Sequence, residues 1–125
     1  MTDEQQAPHF DGRRKVTVEE GLSLLPSTDG ARFVKVFEHG SLSVEVYAPR
    51  GADPQQPHTR DEVYLVAQGS GEFVIGESRL SFGPHDFLFA PAGEPHRFEN
   101  FSADLAVWVL FYGPEGGEGG KSGRE

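Results

Sequence analysis

Two stretches decide how this chain is read: QPHTRDEVYLVAQG at residues 56–69 and PAGEPHRFEN at residues 91–100. In the first, a polar run leads into Glu62–Ala67, an apolar segment of strand character. Gly69-Ser70-Gly71 follows and gives a hairpin signal toward the next strand, Glu72–Ile75. In the second, Pro91 and Gly93 make a turn and His96 opens another short strand, His96–Glu99. Fully extended, His58 and Glu62 would stand about 13 Å apart at ~3.3 Å per residue. One ion with ligands at ~2.0–2.2 Å could not bridge that gap. The polar link Thr59-Arg60-Asp61 can bend, however, and a bend would turn His58 and Glu62 toward one interior. With His96 added, two imidazoles and a carboxylate form a facial set suited to Fe(II), Mn(II), Ni(II) or Zn(II). Taken singly, neither stretch is specific. Glu62 reads equally well as half of a surface ion pair, and the second run as a turn with a hydrogen-bonded histidine.

Outward from these stretches the chain continues in strands. Arg32–Phe37 and Leu42–Tyr47 flank a turn at His39-Gly40, and in the second of them Leu42, Val44 and Val46 alternate with polar residues. Arg79–Phe82, Asp86–Ala90 and Leu105–Tyr112 complete the set, with glycine or proline breaks between most of them. Both faces of Leu105–Tyr112 are apolar, which calls for cover on two sides: the interior on one, a helix or a second subunit on the other. About eight closely spaced strands predict a closed barrel or jelly roll. One short helix is expected at Val18–Leu25, where Thr17 and Glu20 form a capping box and Pro26 stops the turn.

The 125 residues suffice for one domain, and the absence of cysteine excludes disulfide scaffolds, zinc fingers and thiol nucleophiles. The net charge is −9; residues 1–14 and 113–125 each carry −1, which leaves −7 on the stretch between. An acidic body repels phosphate backbones and anionic lipid, so neither nucleic acid nor a membrane is an expected partner. The 16 glycines and 9 prolines argue against a helical bundle. No apolar run approaches the ~18 residues of a membrane helix, and MTDEQQAPHF lacks the core of a signal peptide; the expectation is a cytoplasmic protein. Residues 1–14 and the glycine-rich 113–125 are expected to be disordered, around one folded domain at 15–112.

The paired stretches resemble the two motifs of a small single-domain cupin, a type-2 cupin domain of the double-stranded β-helix superfamily. The first motif, H-x-H-x3–4-E-x6-G, is matched by His58, Glu62 and Gly69, with Gln56 in the place of the first histidine. The second, P-x-G-x2-H-x3-N, is matched in full by Pro91, Gly93, His96 and Asn100. The resemblance spans roughly residues 31–112. It implies an all-β jelly-roll barrel with a divalent ion (Fe, Mn, Zn or Ni) held by Gln56, His58, Glu62 and His96. Gln55 is the second candidate for the position of Gln56, and an amide oxygen is a weaker donor than an imidazole. It also implies a small-molecule ligand or substrate and a homodimer.

Strand period places Tyr64 and Val66 on the face of Glu62, and Phe98 on that of His96, so these three are the expected cavity wall; plain barrel core is the equal alternative. His9, His39 and His85 sit in an end, a turn and a loop, where exposure is the expectation. Asn100 is expected to close a turn, and Arg97 to face solvent. Arg60, next to the ligand positions, is a candidate for holding a carboxylate. No acid/base dyad, nucleophile or phosphate loop stands out, so any chemistry rests on the ion. The expected function is a metal-dependent cupin of dioxygenase, isomerase or lyase type acting on a small organic molecule. The alternative is a non-catalytic ligand-binding cupin or a degenerate structural barrel.

Overall fold

The computed structural model describes residues 12–119; His9 and the outermost parts of the two ends lie outside the described residues. A short helix α1 (Val18–Leu22) precedes β1 (Phe33–His39), β2 (Leu42–Tyr47), β3 (Asp61–Gln68) and β4 (Gly71–Ile75). Then come β5 (Ser78–Phe82), β6 (Phe87–Ala90), β7 (His96–Glu99) and β8 (Ala106–Tyr112). They form two antiparallel sheets, one of five strands ordered β1-β2-β8-β3-β6 and one of three ordered β5-β4-β7. Alternation decides which side chains enter the core. On β3, Tyr64 and Val66 point inward and are buried while Leu65 points out; on β8, Val107 and Val109 point in and Trp108 out. Phe73, Phe82 and Phe98 of the smaller sheet meet them to fill the space between the sheets. The result is the double-stranded β-helix expected from the sequence.

The helix forms as expected at its start. Thr17 Oγ1 accepts from the Glu20 amide at 3.1 Å, and Glu20 Oε1 accepts from the Thr17 amide at 2.9 Å. It ends at Leu22 and not Leu25, because the amides of Leu24 and Leu25 turn back to Gly21 and Leu22 in tighter three-residue steps. Gly21 seats it on β2: a Cβ there would come within 2.5 Å of Val46 Cγ2.

The hairpin expected at Gly69-Ser70-Gly71 is absent. β3 pairs with β8 and β6, whereas β4 pairs with β5 and β7, so this segment carries the chain from one sheet to the other. Gly69 makes the crossing possible, with φ +92 and an approach that would put a Cβ 2.7 Å from Leu105 Cα. The hairpin is instead β4–β5, turned by Gly76-Glu77.

Residues 113–119 also depart from the expectation of disorder. The Gly116 amide donates to Thr59 O at 2.7 Å and the Glu118 amide to Asp61 Oδ2 at 2.7 Å, which ties this segment to the start of β3. A glycine-rich segment buries few side chains, but its amides still need acceptors. On the outer face of the large sheet, cross-strand pairs join Val63 to Phe89 and Leu110, and Leu65 to Phe87 and Trp108. Part of this apolar row is open to solvent, with Phe87 62%, Phe89 41% and Leu65 37% exposed. Among the described residues, no helix is long and apolar enough to cross a membrane.

Candidate metal centre

Glu62 faces inward from β3, opposite Phe111 on one side and Ala90 on the other, and is only 1% exposed. The bend at residues 59–60 brings His58 back over it, so that His58 Nδ1 donates to Glu62 Oε1 at 2.9 Å. The turn of the second stretch pins that bend: the Gly93 amide donates to His58 O at 2.7 Å. Phe111 meets the His58 ring edge-on, with centroids 4.9 Å apart. His96 enters from β7 in the other sheet, its Nε2 standing 3.2 Å from Glu62 Oε1 and 3.0 Å from the Tyr64 hydroxyl. One ligand atom from each of His58, Glu62 and His96 lies within 4.8 Å of the others.

Two details suit this cluster to a cation. His96 Nδ1 lies 2.8 Å from Glu94 O, and a carbonyl only accepts, so Nδ1 carries the proton. A neutral His96 therefore turns the lone pair of Nε2 toward the cluster, the arrangement in which a hydrogen bond orients a ligating imidazole. Glu62 Oε2, meanwhile, is buried with no hydrogen-bond partner among the described residues. A buried carboxylate oxygen without a donor is costly, and a cation would satisfy it. The set of two imidazoles and one carboxylate fits a first-row divalent ion.

The electrostatics run the same way. Burial works to raise the Glu62 pKa, but the hydrogen bonds with His58 and His96 outweigh it and hold the group at about 2. Burial opposes charge on His96, yet Glu62 and the Glu94 carbonyl lift its pKa above the ordinary value. Behind the cluster, the Tyr64 hydroxyl donates to Gln55 Oε1 at 2.9 Å and Gln55 Nε2 donates to Asp53 Oδ2 at 2.6 Å. Asp53 also accepts from the Phe98 amide at 2.7 Å and from the Tyr47 hydroxyl.

A cavity of about 680 Å³ opens onto the cluster, lined by His58, Glu62, Tyr64, Gln55, Gln56, Phe111 and others. Tyr64 thus stands where the strand period puts it, on the cavity wall. Val66 and Phe98 are not among the lining residues and, like Tyr64, are buried in the core cluster. Gln56 lies on the wall with an exposed side chain, and Gln55 is the amide that reaches Tyr64. Arg60 is taken up by the carbonyls of Gly113 and Ser41, and Arg97 faces solvent beside Glu99. Asn100 holds a turn at φ 52, and His39 and His85 are exposed. The charged cavity residues that sequence reasoning missed are Glu45, Arg32 and Arg50, none of which belongs to a motif; Asp53, behind the cluster, was missed as well.

A family model described as the cupin domain matches residues 43–112. The chain belongs to the cupin family. This cupin is 34% identical over 91 residues to the uncharacterised protein SCO3923 of Streptomyces coelicolor, covering 71% of this chain and 86% of that protein. It is 33% identical over 80 residues to dimethylsulfoniopropionate lyase DddQ of Ruegeria pomeroyi, covering 62% of this chain and 40% of the lyase. The crystal structure of that lyase superposes with TM-score 0.57 at 26% identity, over 81% of this cupin and 56% of the lyase chain. This cupin therefore spans about half the length of the lyase it resembles. A Klebsiella pneumoniae protein with a double-stranded β-helix domain shares the fold, with TM-score 0.63 at 22% identity over 80% of this chain and 90% of its own.

Proposed function

We propose that this cupin is a metal-dependent lyase acting on a small organic acid, with His58, Glu62 and His96 holding the ion. The observation that carries the reading is the buried Glu62, whose second oxygen lacks a donor while two imidazoles converge on the first. The lyase assignment takes its support from the resemblance to the dimethylsulfoniopropionate lyase. Fe(II), Mn(II), Ni(II) and Zn(II) all suit the donor set; when bound, such an ion supplies a Lewis acid that polarises a substrate oxygen. The chain's own residues do the rest. Glu94 O fixes the His96 tautomer, Gly93 fixes the backbone of His58, and the Tyr64 hydroxyl, its proton donated to Gln55, stands beside His96 and holds its ring in place. Gln56, exposed on the wall, stands outside the ligand set in this reading, and water or substrate completes the coordination.

The test begins with elemental analysis of protein purified without an affinity tag, followed by incubation with dimethylsulfoniopropionate. In an elimination, a proton leaves the carbon next to the carboxylate, the C–S bond breaks, and dimethyl sulfide departs with the bonding pair, leaving acrylate. About one ion per chain is expected, with dimethyl sulfide release that chelation abolishes. Protein that binds no metal would favour the non-catalytic ligand-binding reading. Stoichiometric iron with oxygen uptake in place of elimination would favour a dioxygenase.

The outer row of Val63, Leu65, Phe87, Phe89, Trp108 and Leu110 is proposed to pair with a second copy of the chain. It is a continuous apolar sheet face, and α1 sits instead over Val46.

A further inference from the structure

Glu45 is the carboxylate of the cavity that the metal cluster does not use. It faces inward from β2, in register with Lys35 of β1 and Val109 of β8. Lys35 and His58 act on it only from a distance, since the Lys35 ammonium bonds Glu38 and His58 Nδ1 bonds Glu62. Among the described residues the Glu45 carboxylate has no hydrogen-bond or ion-pair partner, although it is half-buried in the cavity wall. Burial first, then the negative charge of Glu62, hold its pKa above the ordinary carboxylate value, a penalty that an incoming cation would relieve.

The surroundings suit a particular kind of cation. Phe33, Tyr47 and Phe111 line the same cavity, and Phe33 and Tyr47 are a cross-strand pair two residues along their strands from the Lys35–Glu45 pair. Aromatic faces attract weakly hydrated onium groups. The cavity also carries two guanidinium groups. Arg32 Nε donates to Ala48 O at 2.9 Å, and an Arg50 nitrogen donates to Pro49 O at 2.8 Å and to Leu105 O at 3.1 Å. Backbone carbonyls thus hold both arginines; among the described residues no carboxylate stands within salt-bridge distance of either, and Asp104 acts on Arg50 only from farther off. A wall with one carboxylate among aromatic rings and two guanidinium groups, none of them in a salt bridge among the described residues, is complementary to a ligand bearing both charges.

We propose that the substrate is a small zwitterion, its quaternary ammonium or sulfonium group held at Glu45 among Phe33, Tyr47 and Phe111 and its carboxylate at Arg32 and Arg50. This rests on the reading of the cavity as the substrate site, and adds the residues that select the charge. Two isosteric probes isolate the point. Glycine betaine and 3,3-dimethylbutanoate share a carboxylate and a tert-butyl-like head, and differ in whether the central atom of that head is N⁺ or carbon. Calorimetric titration of both is done on chelator-stripped and on Zn(II)-loaded protein, with metal stoichiometry measured on the same samples.

The parent protein is expected to favour glycine betaine by about tenfold, which corresponds to about 1.4 kcal/mol. Glu45→Gln should bring the two probes to within about twofold without changing the affinity for 3,3-dimethylbutanoate, and Arg32→Gln should weaken both alike. Equal binding of the probes, binding of neither, or a preference that survives Glu45→Gln would overturn the proposal. A preference without bound metal would sink the lyase reading and leave this one standing. Stoichiometric metal without a preference would do the reverse.

Discussion

Replacing Glu62 with glutamine in the metal-free protein probes the electrostatics of the cluster directly. The side chain is 1% exposed, receives His58 Nδ1 at 2.9 Å and faces His96 Nε2 at 3.2 Å. Burial raises its pKa, but the hydrogen bonds with His58 and His96 prevail and bring it from 4.5 to about 2. At ~1.4 kcal/mol per pKa unit, the ionised group stabilises the folded chain by about 3 kcal/mol. That contribution is fully present above the unfolded pKa of 4.5 and is lost as pH falls through about 2. His96 runs the opposite way. Its pKa is raised above 6.5, so its contribution is present below 6.5 and is lost as pH rises through the raised value. As far as this pair is concerned, the metal-free protein is most stable between pH 4.5 and 6.5. Glutamine keeps the size and one acceptor oxygen but removes the charge. In urea unfolding of chelator-stripped protein, the variant should lose on the order of 3 kcal/mol at pH 5.5, and its acid-side slope should flatten. Parent and variant agreeing within about 0.5 kcal/mol at pH 5.5, with parallel pH profiles, would refute the reasoning.

The remaining expectations concern metal, pH and assembly. His58→Ala and His96→Ala should each abolish stoichiometric metal while far-ultraviolet circular dichroism stays native, because the core around Phe73 and Phe98 is untouched; full occupancy in either would remove the ligand assignment. Because His96 holds its proton to a higher pH than a free histidine, occupancy at limiting metal should already be declining as pH falls to 6.5. Occupancy that is flat from pH 5 to 8 would mean the ion is not held by histidine. Gln56→Ala should leave Ni(II) affinity within about threefold in chelator competition, since the side chain is exposed on the wall; a loss of tenfold or more would return Gln56 to the ligand set. Phe87→Glu combined with Phe89→Glu should turn a dimer into a monomer in sedimentation at tens of micromolar, and a parent that is monomeric there would count against the pairing face.

What was legible from sequence is what short-range chemistry specifies. Short apolar runs set mostly between glycine and proline breaks marked the segments of all eight strands, and in Leu42–Tyr47 period-two alternation showed which side chains share a face. The bend at residues 59–60 was legible for a similar reason: a polar link is free to turn His58 back to 2.9 Å from Glu62. The Thr17–Glu20 cap likewise involves neighbours only.

Pairing and depth were decided by contacts between distant parts of the chain. Gly69-Ser70-Gly71 carries the same local turn chemistry whether the next strand returns to its own sheet or crosses to the other. The close approach of Gly69 to Leu105 and the pairing of β4 with β7 make it a crossing. Tyr64 and Val66 share a face and a core cluster, yet only Tyr64 is among the residues that line the cavity, because the loop at Gln55 and the His58 bend reach over its end of β3. Glu45, Arg32 and Arg50 belong to no motif. Their charges gain meaning from the strand order that sets β1 and β2 beside β8 and so brings them to the cavity of His58 and Glu62. Parity along a strand is local, and the sequence alone determines it; which strand lies beside which depends on the free energy of the whole core, and only the folded chain decides it.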